Sequence, residues 1–295
     1  MNQGRIVCFG EVLWDLLPQG RFLGGAPLNV AYHLGRLGQK PSLVSAIGDD
    51  ALGRETRAAV KAAGLDDTAL RVHPGLPTGV VKVQLDAAGH ARYEICEGVA
   101  WDEIGGLPTP GEPLRALLFG SLALRTAANR ECLRAWRAAA PALTVCDINL
   151  RSPYDQLEPL MPLLRGIDLL KLNDDEALRL TGQSRGAEDW DRIFGELSER
   201  FACPRLCVTL GGEGARLWVE GRQFSVPAPK VIVRDTIGAG DSFCAALVDG
   251  LLRHPHRPDW QALLERACRL GAFVASRDGA QPDYSAAEVL GFRQL

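Results

Sequence analysis

Short, almost unbroken apolar runs recur along the chain, separated by stretches whose apolar residues return with a helical period. Runs of the first kind are Arg5–Gly10, Ser42–Ile47, Ala116–Gly120, Leu143–Ile148, Ile167–Leu172 and Leu206–Leu210, and each predicts a strand buried on both faces. Between them, Leu28–Leu37, Leu52–Ala63, Ala127–Ala139 and Trp190–Phe201 predict amphipathic helices. Buried strands alternating with helices imply an α/β fold: a mostly parallel central sheet between two helical layers. Two more strands over Glu213–Val226, then helices at about Ala239–Leu252 and Trp260–Ser276, complete the pattern.

Two regions break it. Thr78–Asp86 and Gly89–Cys96 alternate apolar and polar residues about an Ala-Ala-Gly turn, which predicts a β-hairpin with one polar face. The strand-like segment Val12–Leu23 is divided by a Pro-Gln-Gly turn. Four strands outside the βα alternation predict a small β-lid, made of 12–23 and 78–97, on a core made of 1–11, 24–77 and 98–295.

Composition narrows the function. A chain of 295 residues, 46% hydrophobic, can bury its own core. A formal net charge of -3 lacks the basic stripe a nucleic-acid binder needs. No apolar window is long enough for a membrane span, and the N-terminal stretch has an acidic residue inside its apolar run, unlike a secretory signal, so a cytoplasmic location is expected. The eight cysteines sit mostly in runs such as RIVCFG, LTVCDI and RLCVTL, the setting of buried thiols. Cys203 and Cys207 have no second ligand pair for zinc. Five Lys stand against 28 Arg, so a phosphate site here must rest mainly on backbone N–H groups, Arg or a metal.

Chemistry concentrates in two glycine loops. Asp235-Thr236-Ile237-Gly238-Ala239-Gly240-Asp241-Ser242-Phe243 runs into the apolar helix AALVDGLL. Small residues at 238–240 free backbone N–H groups at a helix start, an anion nest with the helix dipole behind it. Asp241 in the first turn could take a proton from a hydroxyl attacking phosphorus; the alternative is a glycine loop with Asp as N-cap. Upstream, Gly24-Gly25-Ala26-Pro27-Leu28-Asn29 also feeds a helix, and Asn29 offers both donor and acceptor. Asp15, in the apolar VLWDLLP, needs a partner that two sugar hydroxyls would supply; otherwise it is a solvated turn residue, and Asn29 a helix cap.

With these motifs, GGAPLNVAYHLGRLG followed by GDDALG and then DTIGAGDSF, the chain resembles the ribokinase-like (PfkB) carbohydrate kinases from end to end. FGEVLWDLLP and EGVAWDEI are most similar to the bacterial fructokinase branch. The resemblance implies a ribokinase-like core with a β-lid and the ATP-dependent phosphorylation of a sugar, foremost fructose to fructose 6-phosphate. It makes Asp241 the base and Gly238, Ala239 and Gly240 an anion hole, with Asp15, Gly24, Gly25 and Asn29 on the sugar. Arg151 of the Asp147–Arg151 element would reach toward the phosphates. Asn173 and Glu176, an N-x-x-E element, are implied to organise Mg²⁺ through water, with Asn173 also at the nucleotide. Thr209, Gly211, Gly212 and Gly214 resemble an ATP-binding T-x-G-x-x-G, completed by Gly240. Asp235, Ile237, Val274, Arg277 and Gly279 resemble a monovalent-cation site suited to K⁺. A homodimer through the lids is expected. The chain departs from the family at Ile148, where Pro is common, at Cys268-Arg269-Leu270 near the adenine pocket, and at Asp283, where ribokinases often use Ser.

The residues also exclude alternatives. There is no G-x-x-x-x-G-K-[ST], no G-x-G-x-x-G after the first strand, and no G-x-S-x-G. His254 and His256 in RHPHRP read as a solvated loop between helices. Trp101 reads as packing rather than sugar stacking, and Tyr93 as either sheet packing or a substrate contact. Other acceptors within the class are 2-keto-3-deoxygluconate, ribose and nucleosides; outside it stands a sugar-binding regulator without turnover.

Overall fold

The computed structural model describes residues 4–17, 20–85, 91–105 and 113–292. The strands are Arg5–Phe9 (β1), Leu13–Leu17 (β2), Gly20–Gly24 (β3), Pro41–Gly48 (β4), Leu70–His73 (β5), Gly79–Leu85 (β6), Ala91–Ile95 (β7), Leu114–Gly120 (β8), Thr144–Asp147 (β9), Leu169–Asn173 (β10), Arg205–Thr209 (β11), Ala215–Val219 (β12) and Arg222–Val226 (β13). They form one sheet of order β13-β12-β11-β10-β9-β8-β1-β4-β5 and a second of order β3-β2-β6-β7. From β11 to β5 every pairing is parallel, while β12 and β13 turn back antiparallel. The small sheet is antiparallel except for β2 against β6.

The helices are Ala26–Arg36 (α1), Ala51–Ala62 (α2), Ala127–Ala138 (α3), Met161–Leu164 (α4), Asp174–Thr181 (α5), Trp190–Phe201 (α6), Ala239–Arg253 (α7), Trp260–Ala275 (α8) and Ala286–Gly291 (α9). Strand alternation divides the core between them. Ile6 and Cys8 of β1 face an apolar layer built with α1, α7 and α8, whereas Val7 and Phe9 face one built with α3 to α6. The expected α/β architecture, with a large mostly parallel sheet, flanking helices and a small second sheet, is what the chain forms. No described helix is long and apolar enough to cross a membrane. All eight cysteines are free, and all but Cys96 are buried.

The strand β5 and the helices α4, α5 and α9 were not expected. β5 is a four-residue edge strand with two exposed side chains, so it lacks the apolar run of a central strand. In α5, the residues read as a metal element form the helix's own capping box. The tips of the two expected small-sheet turns, Pro18-Gln19 and 87–89, lie outside the described residues, as does the side chain of Tyr93.

Helix starts separate structural from ligand-ready ends. Asp50, Thr126, Asn173, Asp189, Asp259 and Ser285 cap α2, α3, α5, α6, α8 and α9 with side-chain oxygens. By contrast, α1 and α7 begin at Gly25 and Gly238 with no side-chain cap.

The GDDALG segment ties the two sheets together. Asp50 accepts from Gly53 N at 2.7 Å to start α2, and from Thr78 N and Thr78 Oγ1 at 2.7 Å each, directly before β6. Thr78 Oγ1 in turn accepts from Gly48 N at 2.9 Å. Asp50→Ala removes a helix cap and both Thr78 bonds, so urea unfolding is expected to show a loss of about 1–3 kcal/mol. A loss below about 0.5 kcal/mol, the range of ordinary surface changes, would show that water replaces these contacts.

Candidate active site

The parallel strands all end on one edge, and the residues that follow them meet the starts of α1 and α7 there. Gly25 has φ 112, and a Cβ at this position would lie 2.5 Å from the Glu11 carbonyl oxygen. Only glycine lets α1 start so close to the end of β1. Gly238 has φ 76, and a Cβ there would come within 2.7 Å of Ala280. Asn29, buried in the first turn of α1, donates from Nδ2 to Asp241 Oδ2 at 2.7 Å. The expected Asn29 and Asp241, 212 residues apart, are therefore in direct contact.

Asp241 is part-buried. Burial pushes its pKa up to about 6, Asp147 adds to this, and Asn29, Lys171 and Arg151 oppose it. A carboxylate so placed stays ionised at neutral pH yet is basic enough to accept a proton from a hydroxyl. Ala239 N–H turns back to Thr236 O at 3.2 Å, whereas the N–H groups of Gly240 and Asp241 have no acceptor among the described residues. The N–H groups left open therefore sit later in the loop than the expected 238–240 nest and include Asp241's own.

Beneath it lies a cation that the shortage of Lys obscured. Lys171, 5% exposed, donates from Nζ to Asp147 Oδ2 at 2.7 Å. Burial works against its charge, but Asp147, Cys244 and Asp241 hold its pKa above the ordinary value. A Cβ on Gly240 would sit 3.5 Å from this ammonium. The charge therefore stands directly behind the loop. Its sequence signal was a lone Lys inside the apolar strand IDLLKLN.

Glu11 was also missed. It follows β1, is 3% exposed, and its Oε2 has no partner. Burial raises its pKa to about 7; the N–H of Ala26 opposes the shift, Asp241 adds to it and Arg151 offsets it. The acidic residue inside an apolar stretch, read only as a fault in a signal peptide, was the available clue. Asp15, on β2, has its carboxyl beside Gly24, where a Cβ would lie 3.1 Å from Oδ2. Burial raises its pKa, and it has no hydrogen-bond partner among the described residues. Arg151 is exposed, and among the described residues its one hydrogen bond is to Leu150 O at 3.5 Å.

On the far side of the cleft, Asn173 and Glu176 bond reciprocally at 2.8 Å, and Glu176 Oε1 accepts Leu150 N at 2.7 Å. Glu176 thereby fixes the Asp147–Arg151 turn, and each of its oxygens keeps a lone pair for a metal-bound water. That donor set fits Mg²⁺ held through water. Gly211 and Gly212 face open space, so a ligand can approach their backbone, whereas a Cβ at Gly214 would overlap Val226 O. Gly214 therefore has a packing reason to be glycine. Asp235 accepts from Ile237 N at 2.9 Å and Gly279 N at 3.2 Å, which gathers three of the five cation-site candidates. Arg277 N bonds to Val274 O at 2.9 Å in the same turn. Asp283 points to Arg36, 2.7 Å away, and Ile148 is fully buried.

Other candidates resolve as packing or surface. Trp101 is 1% exposed with Arg125 stacked 4.0 Å above its ring. His254 and His256 are exposed between α7 and α8. A cavity of about 390 Å³ lined by Arg115, Asp168, Arg205 and Trp260 opens at the opposite, N-terminal edge of the sheet, away from the groups above.

Comparison with known proteins gives the family and the fold. The profile of the pfkB family carbohydrate kinases matches residues 18–287. The Klebsiella pneumoniae fructokinase is 31% identical, covering 94% of this chain and 95% of its own. The aminoimidazole riboside kinase of Salmonella enterica, solved with aminoimidazole riboside and an ATP analog, superposes with a TM-score of 0.80 at 25% identity, covering 97% of this chain and 98% of that one. A double mutant of the Vibrio cholerae O395 fructokinase, bound to fructose, ADP and potassium ion, shares the fold with a TM-score of 0.82 at 24% identity over the full length of both chains.

The raised carboxyl of Glu11 has a consequence for stability. Its proton is held by the folded chain up to about pH 7 but lost by the unfolded chain near 4.5, so between those values the native state binds more protons. Stability should therefore fall as pH rises through this window, by up to about 3 kcal/mol. Glu11→Gln is expected to remove that fall: the variant matches the wild type at pH 4.5 and exceeds it at pH 8 in urea titrations. Equal stabilities at pH 8 would place Glu11 in a hydrated, ionised state.

Proposed function

The chain belongs to the pfkB family of carbohydrate kinases, phosphotransferases that act on a hydroxyl group, and on that footing we propose that it uses ATP to phosphorylate the primary hydroxyl of D-fructose, giving fructose 6-phosphate. The observation that carries the reading is the placement of Asp241. It is a part-buried carboxylate at the head of a helix with no side-chain cap, bonded to Asn29 near the start of α1. The curated relative from Klebsiella supports fructose as acceptor.

The protein's part in the reaction is positioning and electrostatics. Asp15, with no protein partner, and Asn29 hold the sugar hydroxyls, helped by backbone at Gly24 and Gly25. Asp241 accepts the proton of the primary hydroxyl as its oxygen attacks the γ-phosphorus. The free N–H groups of Gly240 and Asp241, the α7 dipole and the Lys171 charge behind Gly240 stabilise the negative charge that moves onto the transferred group. Arg151 reaches the phosphates from the opposite rim. Thr209, Gly211 and Gly212 receive the nucleotide, and Glu176 with Asn173 holds Mg²⁺ through water. When bound, Mg²⁺ offsets phosphate charge. K⁺ near Asp235 and Gly279 would brace the loop that carries Gly238. The small sheet, residues 12–23 and 78–97, closes over the sugar to exclude water, which would otherwise compete as acceptor. It exposes Phe22 at 47%, an apolar site for the lid of a second subunit.

A second acceptor, a ribosyl group, is favoured by the Salmonella kinase solved with aminoimidazole riboside. It presents the same primary hydroxyl to the same base. ADP release from Mg·ATP, measured with fructose, ribose, 2-keto-3-deoxygluconate and adenosine in K⁺ and then Na⁺ buffer, separates these readings. Fructose is expected to give the highest kcat/KM. Sugar binding without ADP release would indicate a regulator instead.

Asp241→Asn is expected to lower kcat by about 10²–10⁴-fold, the contribution of a general base. Retention of a tenth of wild-type turnover would remove Asp241 from that role. Because the base must be ionised, activity should fall below a pKa of about 6 as pH drops, and stay level above it.

A further inference from the structure

The C-terminal loop between α8 and α9 touches the base through one intermediary. Gln281 donates from Nε2 to Asn29 Oδ1 at 2.8 Å, and Asn29 donates from Nδ2 to Asp241 Oδ2 at 2.7 Å. A primary amide has one accepting and one donating end. With Oδ1 occupied by Gln281, the donating end of Asn29 must face Asp241. Turning the Asn29 amide would set its oxygen against the carboxylate and its nitrogen against the nitrogen of Gln281, two contacts between like groups.

The loop is itself held to α1. Tyr32 Oη donates to Pro282 O at 2.9 Å, and Arg36 Nε donates to Tyr284 O at 2.7 Å. His33 lies 3.0 Å by Nε2 from Ala280 O and 2.9 Å by Nδ1 from Tyr284 Oη. A carbonyl can only accept, so Nε2–H donates to Ala280 and Nδ1 accepts from Tyr284. Burial pulls the pKa of His33 down to about 4, which keeps this neutral arrangement at working pH. Gln281 is thus delivered to Asn29 by a segment fixed on both sides.

We infer that Gln281 is a positioning residue for the base, acting through Asn29: it locks the Asn29 amide so that an N–H, and not a carbonyl oxygen, faces Asp241. The inference rests on Asp241 serving as the base of the reaction proposed above. Gln281 favours the ionised carboxylate, because a protonated Asp241 could donate to Asn29 Oδ1 only after both amides had turned.

Removing the lock should make Asp241 harder to ionise. The charged and titratable groups around Asp241 are Asp147, Lys171, Arg151, Glu11 and, on its own helix, Cys244; a neutral change at 281 alters none of them. Gln281→Met keeps the length and adds no charge. A carbon-13 carboxyl titration, with the Asp241 signal assigned from Asp241→Asn, reads the pKa whether or not the enzyme turns over. In Gln281→Met it is expected to rise by about half a unit or more, part of what one hydrogen bond to a charged group is worth. The acid limb of kcat/KM should move up with it, while kcat at pH 8.5 stays near wild type.

In an Asn29→Ala background the same Gln281→Met change should add no shift, within about 0.2 unit, since its route has been removed. An unchanged pKa in Gln281→Met, or a shift that persists without Asn29, overturns the inference. A shift in the titration with no turnover on any acceptor would leave the relay standing and remove the kinase reading instead.

Discussion

The contact between Asn29 and Asp241 sets the terms for the rest of the molecule. It forces the first turns of two helices, far apart in the chain, to meet over the ends of the parallel strands. α1 follows the small sheet and α7 follows the long excursion through β8 to β13, so this meeting point depends on nearly the whole fold. α1 and α7 share one apolar layer, and Val30 and Leu34 of α1 are buried in the same core as Ala245 and Leu247 of α7. The same face of α1 holds Ala280 through His33, and Ala280 fills the space against Gly238. One helix thus places Asn29 against Asp241, and by way of a loop it supports Gly238 at the start of α7.

What could be read in the sequence followed from periodicity and from glycine. Each predicted run overlaps a central strand to within two residues at either end, because a strand buried on both faces has to be apolar throughout, as Val7 to Phe9 and Leu206 to Val208 are. The two glycine loops could be identified because helix starts that lack a side-chain acceptor have few other uses. Charges that act from inside the core could not be recognised. Lys171 looks like an interruption of a strand until its ammonium is found between Asp147 and Gly240. Glu11 looks like noise in an apolar run. Gln281 belongs to no pattern, and its place is fixed by hydrogen bonds to a helix some 250 residues away. Such groups are set by tertiary contact, which single-sequence periodicity does not record.

N-x-x-E shows how one motif can serve two ends. Asn173 and Glu176 cap α5 in the ordinary reciprocal manner, which alone would explain both residues. But the second carboxylate oxygen of Glu176 also takes the Leu150 N–H, so the cap pins the turn that carries Arg151. Burial raises the pKa of Glu176, with the Asn173 N–H working against the shift. A carboxylate bound to two backbone N–H groups cannot swing into the cleft, so any metal it serves is met by fixed charge and through water.

Apart from the exposed Arg151, the donors gathered around Asp241 are held in place by the fold. The N-terminus of α7 contributes free N–H groups, and Lys171, paired with Asp147, sits beneath the loop. A flexible surface lysine would have to lose rotamer entropy at each binding event, whereas these groups are ordered before any ligand arrives. The cost falls on the acids around them: Asp241, Glu11, Asp15 and Glu176 are all pushed toward protonation by the same burial that makes the donors effective. Asp241 stays below neutrality because Asn29, Lys171 and Arg151 pull in the other direction. A carboxyl poised near 6 is thus the balance between burial and three opposing groups, and a change in any one of them should appear first as a change in the pH at which Asp241 titrates.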